Sequence, residues 1–101
     1  MAVREIRHPP ASELDLANIL RTVGDPIRLD IVRLLSDNRE RTCTAVGELV
    51  GLPASTLSYH LRLLRESGVT RTRAEGTERH VSLRREDLEE RYPGLLEVLG
   101  A

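Results

Sequence analysis

The chain has 101 residues, of which 40% are hydrophobic and 31% are charged, as is typical of one small globular domain. No apolar run approaches the roughly 18 residues that a membrane span requires, and the N-terminus has no stretch of signal-peptide length. We therefore expect a cytoplasmic protein without a membrane partner, and the lone Cys43 excludes an internal disulfide.

Positive charge is concentrated in the middle of a chain whose net charge is only −1. Residues 54–85 carry seven Arg against three acidic residues, whereas residues 1–53 carry seven against eight and residues 86–101 carry one against five. A local basic stretch of this kind is able to bind a polyanion, although a solvated charged face has the same composition.

The N-terminal quarter of the chain predicts an arm followed by a helix. Residues 1–11 contain two consecutive prolines and are predicted to form an extended arm. A helix is predicted over residues 12–23, with Ser12 as its N-cap. Its apolar face would be formed by Leu16, Leu20 and Val23.

A second amphipathic helix is predicted to begin at Asp25-Pro26. Aspartate is a preferred N-cap, and proline at the first helical position loses no hydrogen bond. The apolar positions of this helix are Ile27, Ile31, Leu34 and Leu35, and it is predicted to end near residues 36–38. Residues 39–44, which include Cys43, are predicted to contribute one short strand.

Residues 45–66 have the pattern of a helix-turn-helix. Apolar residues at helical spacing in residues 45–50 precede Gly51, and a second helix follows from residue 54 to residue 66. Three leucines of the second helix recur at i, i+4 and i+7, which predicts a buried stripe formed by Leu57, Leu61 and Leu64.

The opposite face of this second helix is predicted to contact DNA. Ser55 and Thr56, at the helix N-terminus, are suited to phosphate contacts, because hydroxyls and free backbone N–H groups both donate there. Better placed for base contacts are Ser58, Tyr59 and Arg62. His60 lies beside the leucine stripe, so it is either a packing residue or a contact in the groove. Arg65, one turn from the C-terminus of the helix, is expected to interact favourably with the helix dipole.

A basic hairpin is predicted over residues 69–83, with two strands around Glu75-Gly76-Thr77. It would form a wing beside the second helix, and its predicted DNA contacts are Arg71, Arg73 and Arg79. Residues 84–99 begin with acids suited to the first turn of a helix, before Pro93 interrupts it.

The stretches VGDPIRLDIVRLL, VGELVGLPASTLSYHLRLLRESGV and RAEGTERHVSL together closely resemble the ArsR/SmtB family of bacterial winged-helix repressors. The resemblance covers residues 23–83. It implies a mainly α winged helix-turn-helix domain over residues 12–101, with about five helices and a small β-hairpin. It also implies a homodimer through the terminal helices, which would bury the apolar residues of 12–23 and 86–99. Such proteins bind a pseudo-palindromic operator and are released by an effector, usually a metal ion.

The metal-binding residues of the family are not found at their usual positions. Ala45 and Gly47 stand where the arsenic-type motif has cysteines, and residues 84–99 contain no His for the site on the last helix. The remaining candidate ligands for a transition metal such as Ni²⁺ or Zn²⁺ are His8, Cys43 and His80. His8 could reach Cys43 or a carboxylate of a partner chain. Cys43 could instead be an ordinary strand residue or a site of oxidation.

No motif of an enzyme is present, because the chain lacks a phosphate loop, a metalloprotease motif and a set of nucleophile, base and orienter. The sequence therefore predicts a regulator that binds double-stranded operator DNA as a homodimer. Two alternatives stay open: a winged-helix module for protein interaction, and a metal-independent regulator that responds to a small molecule or to redox state.

Overall fold

A computed structural model describes residues 6–101 and has the predicted winged helix-turn-helix architecture. Its regular elements are α1 (Leu16–Val23), α2 (Pro26–Leu34), β1 (Arg41–Thr42), α3 (Cys43–Val50), α4 (Ala54–Glu66), β2 (Thr70–Glu75), β3 (Glu78–Leu83), α5 (Arg85–Arg91) and α6 (Leu95–Leu99). Short 3₁₀ turns occupy Ala11–Glu13 and Leu35–Asp37. The described part thus contains six α-helices where about five were expected. None of its helices is long and apolar enough to cross a bilayer.

The first helix begins at Leu16, so the prediction that Ser12 is its N-cap was wrong. Asp15 is the N-cap, and its carboxylate accepts a hydrogen bond from the backbone N–H of Asn18 at 3.0 Å. Ser12 lies in the preceding 3₁₀ turn. Leu14, between Ser12 and Asp15, has an extended backbone and is only 3% exposed. Its side chain enters the core, and the helix begins after it.

The start of α2 confirms the prediction from Asp25-Pro26. The Asp25 carboxylate accepts hydrogen bonds from the backbone N–H groups of Ile27 at 2.9 Å and Arg28 at 3.1 Å. The bond from Arg28 is the largest of the effects that lower the pKa of Asp25 below its ordinary value.

The predicted short strand before the helix-turn-helix is present but contains only Arg41 and Thr42. Cys43 is the first residue of α3, because the Thr42 hydroxyl accepts a hydrogen bond from the backbone N–H of Ala45 at 3.1 Å and caps the helix. The strand joins the hairpin in an antiparallel sheet of order β1-β3-β2, in which Val81 pairs with both Arg41 and Thr72.

The core lies between the helices and the inner face of this sheet. The predicted stripe is confirmed, because Leu57, Leu61 and Leu64 are 4%, 6% and 0% exposed. Leu88 of α5 and Leu96 of α6 are also buried within the single chain. The expectation that a partner must bury the apolar residues of 86–99 was therefore wrong for these two.

Part of the predicted arm lies against the outer edge of β2. His8 Nε2 accepts a hydrogen bond from the backbone N–H of Thr72 at 2.9 Å, and Arg84 Nη1 donates to the carbonyl of Pro9 at 2.7 Å. Gly68 allows the arm and the following segment to approach closely, because a Cβ there would lie 3.4 Å from Pro9 Cγ and 2.0 Å from Leu14 Cδ2. The remaining arm residues, 1–5, lie outside the described part of the chain.

Candidate nucleic-acid interface

The turn between α3 and α4 positions the second helix of the motif. Gly51 ends α3 in the left-handed conformation, with φ 71°, and its N–H donates to the carbonyl of Gly47. A Cβ on Gly47 would lie 3.1 Å from Leu57 Cδ2, so the two helices cross at close range. This contact fixes the leucine stripe of α4 towards the core and leaves the other face outward.

The predicted contact face of α4 is exposed in the structure, at Ser55, Thr56, Ser58, Tyr59 and Arg62. Pro53 occupies the N-cap and provides no capping side chain, so the N–H groups of the first turn remain available to an anion. The first turn contains no acidic residue. This end of the helix is therefore electrostatically suited to approach a phosphate backbone.

Tyr59 and Arg62 form the largest side chains of the outward face. The Arg62 guanidinium carbon lies 5.7 Å from the centre of the Tyr59 ring, within the range of a cation–π contact. Tyr59 is 50% exposed. The ring thus orients the guanidinium while leaving its donors free to reach beyond the helix.

His60 belongs to the packed side of α4 and not to the outward face. It is 7% exposed, and its Nδ1 lies 3.2 Å from Arg28 Nη1. Since arginine only donates, this ring nitrogen accepts, and the proton is on Nε2. Of the two roles that the sequence left open for His60, the structure therefore supports the packing residue and not the contact in the groove. With Leu57, Leu61 and Leu64 it completes the i, i+3, i+4, i+7 spacing of a buried helix face. This spacing in the sequence indicated the packing role of His60.

Two of the three predicted wing arginines already have carboxylate partners. Arg73 donates to both carboxylate oxygens of Glu40, at 2.6 and 2.7 Å, and also to Glu75 at 3.2 Å. Arg71 lies 3.5 Å from Asp87. The bond from Arg73 is the largest of the effects that lower the pKa of Glu40. These two arginines lie on the strand face away from Val81 and α4.

Arg79 is different, because it shares the strand face of Val81 and points towards α4. It lines a cavity together with Arg62 and Arg65. Sequence reasoning gave Arg65 no role beyond the helix dipole. Ser58, Arg62 and Arg65 are spaced at i, i+4 and i+7. This spacing could have predicted that Arg65 lies on the same line of α4 as the other two.

The three predicted metal ligands are not brought into one group. His8 bonds to Thr72 at the outer edge of β2, while Cys43 lies at the start of α3. His80 lies on the face of β3 opposite to Val81, where its Nε2 is 3.5 Å from Glu75 Oε2. Within residues 6–101 no set of three or more His, Cys, Asp or Glu side chains is arranged to hold a metal ion.

Cys43 and His8 have perturbed acidities with physical causes in their surroundings. Burial raises the pKa of the Cys43 thiol, and the positive charges of Arg79 and Arg65 oppose this effect. Burial lowers the pKa of His8, and Arg84 lowers it further. Cys43 is therefore mainly a thiol near neutral pH, because the effect of burial exceeds that of the two arginines.

Comparison with known proteins relates this geometry to a family. Residues 23–73 match a helix-turn-helix domain family. The uncharacterised HTH-type transcriptional regulator YceK of Bacillus subtilis is 39% identical over 84 residues, which cover 82% of this chain and 84% of YceK. The transcriptional repressor PagR of Bacillus anthracis is 32% identical over 85 residues, which cover 84% of this chain and 81% of PagR.

Solved structures are similar over most of the chain. The crystal structure of PagR superimposes with a TM-score of 0.66 at 29% identity, covering 82% of this chain and 90% of PagR. A homodimeric winged helix-turn-helix DNA-binding domain from Mycobacterium bovis, described as a possible ArsR-family transcriptional regulator, superimposes with a TM-score of 0.70 at 28% identity, covering 83% of this chain and 76% of that domain.

Proposed function

Since this chain belongs to the ArsR family of winged helix-turn-helix transcriptional regulators, we propose that it binds a specific, two-fold symmetric operator as a homodimer and represses transcription. Its role is DNA binding and not catalysis. We place this activity in the cytoplasm, where the operator is.

The observation that carries the proposal is the exposed face of α4 beside the wing, with no acidic residue in the first turn of the helix. The major groove of B-DNA admits one helix, whose N-terminal side chains reach base edges. In this arrangement Ser55 and Thr56 contact phosphates near the N-terminus of α4. The side chains that reach bases are Ser58, Tyr59 and Arg62. The hairpin then follows the backbone at one side of the groove.

A homodimer is supported by apolar side chains that the single chain leaves exposed on its terminal helices. Leu16 and Leu20, one turn apart on α1, are 39% and 47% exposed, and Val98 on α6 is 83% exposed. Leu14, just before α1, accepts bonds from Arg91 and Tyr92, so α1 starts beside the C-terminal helices. For the two α4 helices of such a dimer to enter successive major grooves, they must lie about 34 Å apart, one turn of DNA.

The effector is a separate part of the proposal. A metal ion such as Ni²⁺ or Zn²⁺ would need ligands from a second copy, since His8, Cys43 and His80 are not joined by further donors within residues 6–101. A regulator that responds to a small molecule is the alternative. In either case the effector releases DNA only if it binds the free conformation better than the bound one.

The test is fluorescence anisotropy on the DNA upstream of the protein's own gene, with EDTA and then with added Ni²⁺ or Zn²⁺. We expect tighter binding to one upstream site than to random DNA of equal length. Arg62→Ala should weaken operator binding by about 1 to 3 kcal/mol and relax the preference at one base position. Arg39→Ala, a change at an exposed arginine outside the proposed interface, is the matched control.

Equal affinity for operator and random DNA would reject a sequence-specific regulator and favour the protein-interaction alternative. Specific binding that no metal changes would reject the metal effector alone. An equal loss on both DNAs for Arg62→Ala would show that Arg62 contacts phosphate and no base.

A further inference from the structure

We infer that the cavity between α4 and β3 is a binding site for one phosphate group. Its volume is about 220 Å³, and three arginines, two hydroxyl side chains, a thiol and one leucine line it: Arg62, Arg65, Arg79, Ser58, Thr72, Cys43 and Leu61. The inference deepens the proposed function and rests on it only where the phosphate belongs to DNA.

The positions along the chain explain how the arginines converge. Ser58, Arg62 and Arg65 follow one another at i, i+4 and i+7 and so form one line along α4. Arg79 faces this line from β3, because it is two residues from the buried Val81 and shares its side of the strand. Charges from two elements thus surround a single concave space.

No carboxylate neutralises these three charges within the described part of the chain. None of the three arginines is in an ion pair there, and no acidic side chain lines the cavity. By contrast, Arg71 and Arg73 are both paired. Like charges held around a small cavity repel one another, so a bound anion would relieve an unfavourable arrangement.

The field of these arginines extends to Cys43, which also lines the cavity. Burial raises the pKa of the Cys43 thiol, while Arg79 and Arg65 act in the opposite direction by stabilising its thiolate. An anion at this point would have the same favourable interaction. A cation would be repelled, so this cavity is unsuited to the metal ion that Cys43 was predicted to bind.

The chemistry of the lining favours a phosphate over other anions. Guanidinium groups donate paired hydrogen bonds that match phosphate oxygens, and a tetrahedral oxyanion accepts from several directions at once. Ser58 and the buried Thr72 add hydroxyl donors at two further positions. The phosphate could come from the DNA backbone beside the groove that α4 enters, or from a free phosphorylated molecule that competes with DNA.

The first experiment uses the full chain without DNA. Inorganic phosphate is titrated at constant ionic strength, with chloride as the balancing ion, while NMR follows the arginine Nε–H signals and the backbone amide of Cys43. We expect saturable shifts in the wild type and in the control Arg39→Gln. Arg79→Gln should weaken phosphate binding about tenfold or more, as loss of a charged hydrogen-bond donor does, and Arg65→Gln should act likewise.

Shifts that do not saturate, or that Arg79→Gln and Arg39→Gln share equally, would overturn the inference. The side chain of Arg79 makes no hydrogen bond within residues 6–101, so its replacement should preserve the pairing of β2 with β3 and leave the amide spectrum otherwise unchanged. If Arg65→Gln fails to fold, Arg79→Gln alone decides the result.

The second experiment identifies the source of the phosphate from the salt dependence of DNA binding. Loss of one DNA phosphate contact per protomer would reduce the slope of log K against log salt by about 0.9 for each contact. A reduced slope for Arg79→Gln supports a DNA phosphate, whereas lost phosphate binding with an unchanged slope supports a free anion. If the wild type shows no preference for its upstream DNA, the proposed function fails, while the phosphate titration still decides about the cavity.

Discussion

Replacing Glu40 with glutamine should strengthen DNA binding, because Glu40 neutralises an arginine of the wing. Nε and Nη2 of Arg73 donate to the two oxygens of Glu40, at 2.7 and 2.6 Å, and Nη1 lies 3.2 Å from Glu75 Oε2. A phosphate must compete with these carboxylates for the same donors. Glu40→Gln keeps the size of the side chain and removes the charge that holds Arg73 in place.

The magnitude follows from counting charges. The group formed by Arg73, Glu40 and Glu75 has a net charge of −1, and the substitution brings it to zero. If the released Arg73 gains one phosphate contact, the salt slope steepens by about 0.9. Relative to 1 M salt, this corresponds to about fivefold tighter binding at 0.15 M for one protomer, and about thirtyfold for a dimer.

The assay is anisotropy on operator and on random DNA over a range of salt concentrations. Glu78→Gln is the matched control, because it removes an equal charge from the same hairpin face, near His80, without a bond to Arg73. Equal steepening for the two variants would show a general charge effect and refute the release of Arg73. So would a Glu40→Gln effect that persists in an Arg73→Gln background.

Three further outcomes are expected from the packing of the chain. Leu64→Ala should lower the free energy of unfolding in urea by about 2 to 5 kcal/mol, whereas Leu49→Ala, at a side chain 58% exposed, should change it little. His8 has a lowered pKa and accepts from the N–H of Thr72 only when neutral, so the unfolded chain binds more protons. The contribution of this bond to the free energy of unfolding should therefore be complete above pH 6.5, the ordinary pKa of histidine, and should be lost as the pH falls towards the lower pKa of His8 in the folded chain. Denaturation curves measured at several pH values should show this dependence, and His8→Gln should flatten it. Leu20→Glu should shift the mass found by sedimentation from dimer to monomer while leaving the helical CD spectrum unchanged, and an unaltered dimer would move the interface elsewhere.

Helix starts and buried faces that depend only on residues close in the sequence could be predicted. Asp25-Pro26 contains both the cap and the first helical residue, and the spacing of the α4 leucines identifies its buried face. The start of α1 could not be predicted in this way, since Ser12 and Asp15 are both good caps. The choice depends on Leu14, which enters the core and whose carbonyl accepts from Arg91 and Tyr92, more than 70 residues away.

Which arginines of the interface are free of carboxylates also depends on residues that are distant in the sequence. The segment 54–85 is basic by count, and this count predicted a wing with three available arginines. The structure assigns carboxylates from outside the segment to two of them: Asp87 lies 16 residues from Arg71, and Glu40 lies 33 residues from Arg73. No count within a segment reveals such pairs. Of the four arginines of the segment left without a carboxylate within residues 6–101, all but Arg85 converge between α4 and β3, so positive charge is concentrated where helix and wing meet and not along the hairpin. A ligand with one concentrated negative charge, such as a phosphate, is better matched to that surface than one with a diffuse charge.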